Sequence, residues 1–305
     1  MRRLLLSGFV ILTVGLGAAV YWLFYENRPP SEGDFPLDII ALREAASSIS
    51  GPGPSRIEVE TIYRSKVPRI ALITGTDWGD LKFVRNSYRL AFRDFSIVLE
   101  TGSNEEKAQS DRWTVSYDAA AWDRMQRALL MAKMILVTHE HCDHIGGLLQ
   151  SPNWKRLLPK AILNEDQFQN TPECTVWPAG SRDEFEPLPF EGLHAVAPGV
   201  VLIRAPGHTP GSQMVYVRRE DGKEYLFTGD TASSLDNIRL LRPRSRYVMI
   251  TGGHEDDRDA VFLQTIAIKR LADDVADLIL VPGHDEVALQ ALEDAGSLVR
   301  GFSAP

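Results

Sequence analysis

His139-Glu140-His141-Cys142-Asp143-His144 places three of the chain's seven histidines and an aspartate within six residues. Neutral imidazoles and carboxylates are first-choice ligands for zinc and similar divalent ions. A lone loop histidine is more often solvated or hydrogen-bonded than ligating. Four ligand-type side chains crowded at the end of one apolar strand are a different case, because packing them together without a cation would be costly. Ile145-Gly146-Gly147-Leu148 follows, the start of a helix whose glycines let the backbone pass close to a neighbour. The pattern points to a metal centre and leaves the reaction open.

Such a loop needs a rigid strand before it. Residues 134–138, apolar and β-branched, read as a buried strand, preceded by a helix over 119–133. Upstream, 57–63, 70–74 and 88–100 read as strands, the last broken near Arg93-Asp94 like a hairpin. Downstream, 200–204, 214–218 and 225–228 read as strands, the last two joined by a turn at Glu220-Asp221-Gly222-Lys223. A helix over 258–276, a short buried strand over 278–281 and a closing helix over 286–299 complete the order. Strands first, then strands alternating with helices, predict a layered α/β domain.

The whole chain agrees with that class. At 305 residues, 44% hydrophobic and 24% charged, it can bury a large core, and disordered, collagenous and coiled-coil classes are excluded. Forty-one acidic against thirty-three basic residues give a net charge of −8, so nucleic acid is not an expected partner. Two cysteines, Cys142 and Cys174, make neither a small-protein disulfide framework nor a four-cysteine zinc site. Cys142 reads as a spacer among the ligands, and Cys174 has no evident partner.

Residues 1–28 form a separate object. Met1-Arg2-Arg3 precedes an uncharged run over 4–25, which as a helix spans about 33 Å, enough for the hydrocarbon of a bilayer. Tyr21, Trp22, Phe24 and Tyr25 mark its far end, where aromatic rings favour the headgroups. The expectation is a single transmembrane helix with the cytoplasmic N-terminus set by Arg2 and Arg3, and an extracytoplasmic body, periplasmic in a Gram-negative cell. A signal peptide cut near Gly17-Ala18-Ala19, with secretion, is the competing reading. Residues 29–55 then form a tether, with an amphipathic helix over 36–46 and a helix-breaking stretch over 47–55. The catalytic body is expected over 56–305.

The hexapeptide resembles the H-x-H-x-D-H signature of the metallo-β-lactamase superfamily. Gly207-His208-Thr209-Pro210-Gly211-Ser212, Thr228-Gly229-Asp230 and Pro282-Gly283-His284 resemble the later landmarks of that family, in its order. Leu99-Glu100-Thr101-Gly102 resembles the upstream D-x-G turn, with Glu100 in place of the usual Asp and little expected to depend on it. The resemblance covers roughly 56–299. It implies a four-layer αββα sandwich with metals at the sheet edges. It also implies one ion, expected to be zinc, held by His139, His141 and His208, and a second by Asp143, His144 and His284, with Asp230 bridging. Two such ions would make a bridging hydroxide at neutral pH. Asp143, facing that water, is the natural proton shuttle and so the catalytic candidate.

Asp230 rules against the β-lactamase branch that carries cysteine or serine there, and His141 against the flavodiiron branch. The resemblance therefore implies a hydrolase acting on an ester, lactone or thioester of a small molecule, lactonase-like or glyoxalase-II-like. Phosphodiesterase or β-lactamase activity is an alternative. The rival from another reaction class is a mononuclear iron sulfur dioxygenase of the same fold, and iron or manganese can replace zinc in such sites. Among the remaining residues, His194 reads as a packing histidine and His254 as part of a helix-entry loop. Trp78, Trp113 and Trp177 read as core aromatics before pocket residues. Oligomeric state is not legible.

Overall fold

A computed structural model describes residues 2–303 except 173, 184 and 252–256, with backbone alone at 2–6 and 8. His254 therefore lies outside the described residues. The strands are β1 (Arg56–Pro68), β2 (Asp80–Ala91), β3 (Ser96–Leu99), β4 (Thr114–Tyr117), β5 (Met134–Leu136), β6 (Ala161–Ile162), β7 (Leu193–Ala197), β8 (Val200–Arg204), β9 (Gln213–Arg218), β10 (Glu224–Gly229), β11 (Leu278–Pro282) and β12 (Val299–Arg300). They form two mixed sheets. One runs β12-β1-β2-β3-β5-β6 with β4 pairing β1, and the other runs β11-β10-β9-β8-β7.

Alternation decides which side chains meet. In the second sheet Val200, Leu202, Val215 and Val217 face inward and pack against Ile57, Val59, Tyr88 and Leu90 of the first. Their neighbours Val201, Ile203, Met214 and Tyr216 face outward, under helices Ile39–Ser47 and Arg258–Asp274. The outer face of the first sheet is covered by helix Ala119–Met131, which buries Ala121, Met125, Ala128 and Leu129 along one stripe, and by helix Cys142–Leu149. Helix, sheet, sheet, helix is the expected four-layer order.

Two local expectations change. Residues 70–74 do not form a strand, and Arg69–Leu72 makes one helical turn instead. β1 runs on to Pro68 and is paired with β2 along its whole length, so a strand at 70–74 would have had no ladder to join. A short apolar run by itself does not distinguish the two. The closing helix stops at Asp294; Gly296 turns at φ 66° and Val299–Arg300 joins β1 as a parallel edge strand. The helix within 29–55, capped by Asp38, buries Leu42 in the core and pairs Arg43 with Glu224 at 2.7 Å.

The transmembrane expectation for 4–25 is not supported. A helix forms over Arg2–Phe24, yet among the described residues no helix is long and apolar enough to cross a membrane. Its last turn is spent on the protein instead. Phe24 stacks against Trp78 and Tyr247, Trp22 lies under the Arg246 guanidinium, and Glu26 pairs with Arg246 and Arg258.

Cys174 does have a partner. It forms a disulfide with Cys142, 32 residues away, tying the loop after residue 170 to the start of helix Cys142–Leu149. Nothing local signals the pairing, because only the fold brings that loop over the metal-type motif. Closing a loop of this size stabilises by about 3–4 kcal/mol on chain-entropy grounds. Cys174→Ser is therefore expected to lower the melting temperature by roughly 5–10 °C. Reductant should shift the wild type equally and leave the variant unmoved. Equal melting temperatures for variant and oxidised wild type would show that the bond contributes nothing.

Candidate metal centre

All seven expected ligands converge, each just past a strand end. Thr138 and His139 follow β5; His141 caps helix Cys142–Leu149, whose first turn carries Asp143 and His144. His208 lies between β8 and β9, Asp230 directly follows β10, and His284 follows β11. Glycine makes this closeness possible: a Cβ on Gly283 would sit 2.7 Å from Asp230 Oδ1. Most ligand side chains are buried, while His141 and Asp143 are half-buried, so the cluster opens on their side.

The donors sort into two seats. His139 Nε2 and His208 Nε2 each lie 3.0 Å from His141 Nδ1. Asp143, His144 and His284 form a second group. Asp230 stands between, with Oδ1 at 2.6 Å from His284 Nε2 and 3.7 Å from His144 Nε2, and Oδ2 at 3.4 Å from His208 Nε2. His144 Nε2, Asp230 Oδ1 and His284 Nε2 are buried without a hydrogen-bond partner. Buried orphans are rare, and three gathered around Asp230 Oδ1 are what a cation would satisfy. The donor set fits two divalent ions.

Outer contacts aim these donors. His284 Nδ1–H donates to the Val84 carbonyl at 2.8 Å, which leaves its Nε2 lone pair free. His144 Nδ1 faces Glu100 Oε2 at 3.0 Å, and Glu100 Oε1 accepts the Thr138 N–H at 3.1 Å. Glu100, given little weight from sequence, thus orients a ligand, and holds a left-handed φ of 66° to do so. Arg85 Nε donates to Asp143 Oδ2 at 2.9 Å, Arg244 donates to Asp230 Oδ2 at 2.6 Å, and a second Arg244 nitrogen lies 2.9 Å from His208 Nδ1. Glu140, inside the motif, is no ligand of either seat. It accepts from the Gly211 N–H at 3.1 Å and the Thr209 hydroxyl at 2.9 Å, locking the His208 loop.

Electrostatics follow from burial and partners. Burial, with His144, His141 and His208 alongside, holds the His139 imidazole well below its ordinary range, hence neutral and ready to ligate. Burial opposes ionisation of Asp143, but His144 and Arg85 outweigh it and keep the carboxyl far below the usual range. Asp230 is likewise held low against burial, by His284 and Arg244. Glu140 is pushed up to about 7, chiefly by burial.

Arg85 and Arg244 were not legible as site residues. An arginine inside the otherwise buried strand β2 was the available signal for the first, since a buried charge needs a partner. Arg244 sits in Arg242-Pro243-Arg244-Ser245-Arg246, where nothing separates one arginine from the next. Arg244→Ala should weaken divalent-ion binding at this cluster by about ten- to a hundredfold, since Asp230 loses the guanidinium that restrains it. Chelator competition on the purified protein checks this. Unchanged affinity at both seats would remove Arg244 from the assembly.

The remaining candidates stay apart. His194 packs on Phe190 in β7, as expected. Trp177 packs with Phe168 and Phe185. Trp78 and Trp113 do not enter the core and line a cavity beside the site.

A family model of the metallo-beta-lactamase superfamily matches residues 81–284, which span every one of these donors. The chain belongs to the metallo-beta-lactamase superfamily. Among curated proteins it is similar to N-acyl homoserine lactonases. It is 28% identical over 108 residues to one from Bacillus thuringiensis, covering 34% of this chain and 40% of that protein. It is 26% identical over 167 residues to the lactonase AttM of Rhizobium radiobacter, covering 50% and 58%. The chain thus spans about two fifths to three fifths of these superfamily relatives. Among solved structures it resembles a quorum-quenching N-acyl homoserine lactone lactonase, with TM-score 0.62 and 18% identity over 78% of this chain and 95% of that one. The dizinc lactonase AidC gives TM-score 0.55 and 14% identity over 78% and 92%. At these identities the likeness establishes the superfamily fold.

Proposed function

We propose that this superfamily member is a dizinc hydrolase that opens a lactone or a related small ester or thioester. The observation that carries the reading is the convergence of seven ligand-type side chains from four separate loops, three of whose buried donor atoms have no hydrogen-bond partner. His139, His141 and His208 would hold one ion, and Asp143, His144 and His284 the other, with Asp230 between them. When bound, such a pair supplies an activated water and a Lewis-acidic seat for a carbonyl oxygen.

The chain's own groups do the rest. Asp143 is fixed through Oδ2 by Arg85, which leaves Oδ1 toward the seat and its carboxylate ionised to accept a proton and pass it to the leaving oxygen. Glu100 and Val84 hold His144 and His284 in the tautomers that offer Nε2. The lactonase names of the relatives support lactone among the three substrate types. The Cys142–Cys174 bond supports an extracytoplasmic position, because disulfides persist in oxidising compartments.

The test is elemental analysis of the purified chain together with a turnover screen on lactone, thioester, phosphodiester and β-lactam substrates. About two zinc ions and lactone opening are expected. A single iron, with oxygen consumed on sulfur substrates, would replace this reading with the dioxygenase one.

A further inference from the structure

A cavity of about 700 Å³ adjoins the candidate centre. Its inner wall is made of Phe83 and Arg85, and both touch ligands: the Phe83 ring stacks on the His284 imidazole at 4.0 Å between centroids, and Arg85 holds Asp143. Its outer wall is aromatic, with Phe24, Trp78, Trp113 and Tyr247. Phe24 is the last residue of the N-terminal helix and lies 5.0 Å from the Trp78 ring and 5.1 Å from that of Tyr247.

That helix end is held firmly. The Gly75 N–H donates to the Phe24 carbonyl at 2.8 Å. Two residues on, Glu26 pairs with Arg246 at 2.9 Å and Arg258 at 3.0 Å, and Arg258 also donates to the Glu26 carbonyl at 2.7 Å. Among the described lining residues, aromatic and aliphatic side chains outnumber the charged ones, Arg85, Asp111 and Arg112. Arg85 is shared between Asp143 and Asp111, and the Arg112 guanidinium lies over the Trp113 ring. Trp78 remains 60% exposed, a large apolar surface on the rim of a chamber whose inner wall, Phe83 and Arg85, touches two of the candidate ligands.

We propose that the C-terminal end of the N-terminal helix is a wall of the substrate cavity, and that the preferred substrate carries an extended apolar chain lying between Phe24, Trp78 and Tyr247 while its carbonyl reaches the centre. The substrate class rests on the hydrolase reading above. The wall itself does not. Phe24 then acts as a specificity-determining residue, at a position the sequence assigns to an anchor.

The experiment uses the full-length, zinc-loaded chain and two probe types. γ-Butyrolactone and γ-dodecalactone differ only in the alkyl chain, and decanamide is an uncleavable amphiphile whose binding is read by calorimetry. Phe24→Ala is expected to raise KM for γ-dodecalactone and weaken decanamide binding, each by about tenfold or more. The deciding readout is the ratio of KM for γ-dodecalactone to KM for γ-butyrolactone, which should rise in Phe24→Ala. Phe24→Trp, which fills space rather than empties it, should shift preference toward shorter chains, and Tyr247→Ala tests the same wall from the catalytic body. Decanamide binding that depends on Phe24 and Tyr247, with neither lactone opened, would sustain the cavity and sink the hydrolase reading. Decanamide binding indifferent to all three variants would overturn the cavity assignment whatever the activity.

Discussion

Asp143→Asn should lower kcat by about a hundredfold or more, the usual contribution of a general acid–base group, with at least one zinc ion retained. The amide cannot serve both neighbours that the carboxylate serves. Arg85 donates to Oδ2 at 2.9 Å, and Oδ1 faces the seat shared with His144. If the amide nitrogen turns to Arg85, donor meets donor; if it turns inward, a non-ligating NH₂ faces the ion. Either way no proton acceptor of carboxylate strength remains. The measurement is turnover beside metal stoichiometry on the same preparation. Near-normal kcat with two ions bound would show that the proton moves by another route.

Asp230→Ala is expected to be the more severe lesion, with loss of one ion before chemistry can be assayed. Asp230 is the carboxylate that approaches both seats, and its removal leaves two cations without the charge between them. It also leaves Arg244, itself cationic, without its shortest acceptor at this site, so the guanidinium adds to the repulsion. His284→Ala provides the contrast. It should empty the Asp143/His144 seat and spare the three-histidine seat, whose closest contacts do not involve it. Metal analysis distinguishes the two: about one ion for His284→Ala, and one or fewer for Asp230→Ala. Two ions and near-normal turnover in Asp230→Ala would refute the bridging role, and with it a shared pair of ions.

The chain by itself determined the layered α/β class and the seven candidate ligands, for a physical reason. A metal cluster needs particular side-chain types at strand ends, and both the types and the strand periodicity are local properties. Residues 139–144, 207–212, 228–230 and 282–284 carry them in the open. The hairpin at Arg93-Asp94 was legible for the same reason, since turn chemistry is local. Tertiary structure alone decided what depends on partners distant in sequence. Residues 70–74 have strand-like composition but no free ladder, because β2 already occupies β1. Cys174 finds Cys142 only when its loop folds over the motif. Arg85 and Arg244 become restraints on Asp143 and Asp230 only through contacts 58 and 14 residues apart. The N-terminal run reads as a membrane span because hydropathy counts residues one at a time. Its last turn faces Trp78, Tyr247 and two arginines, and that surface exists only after the catalytic body has folded.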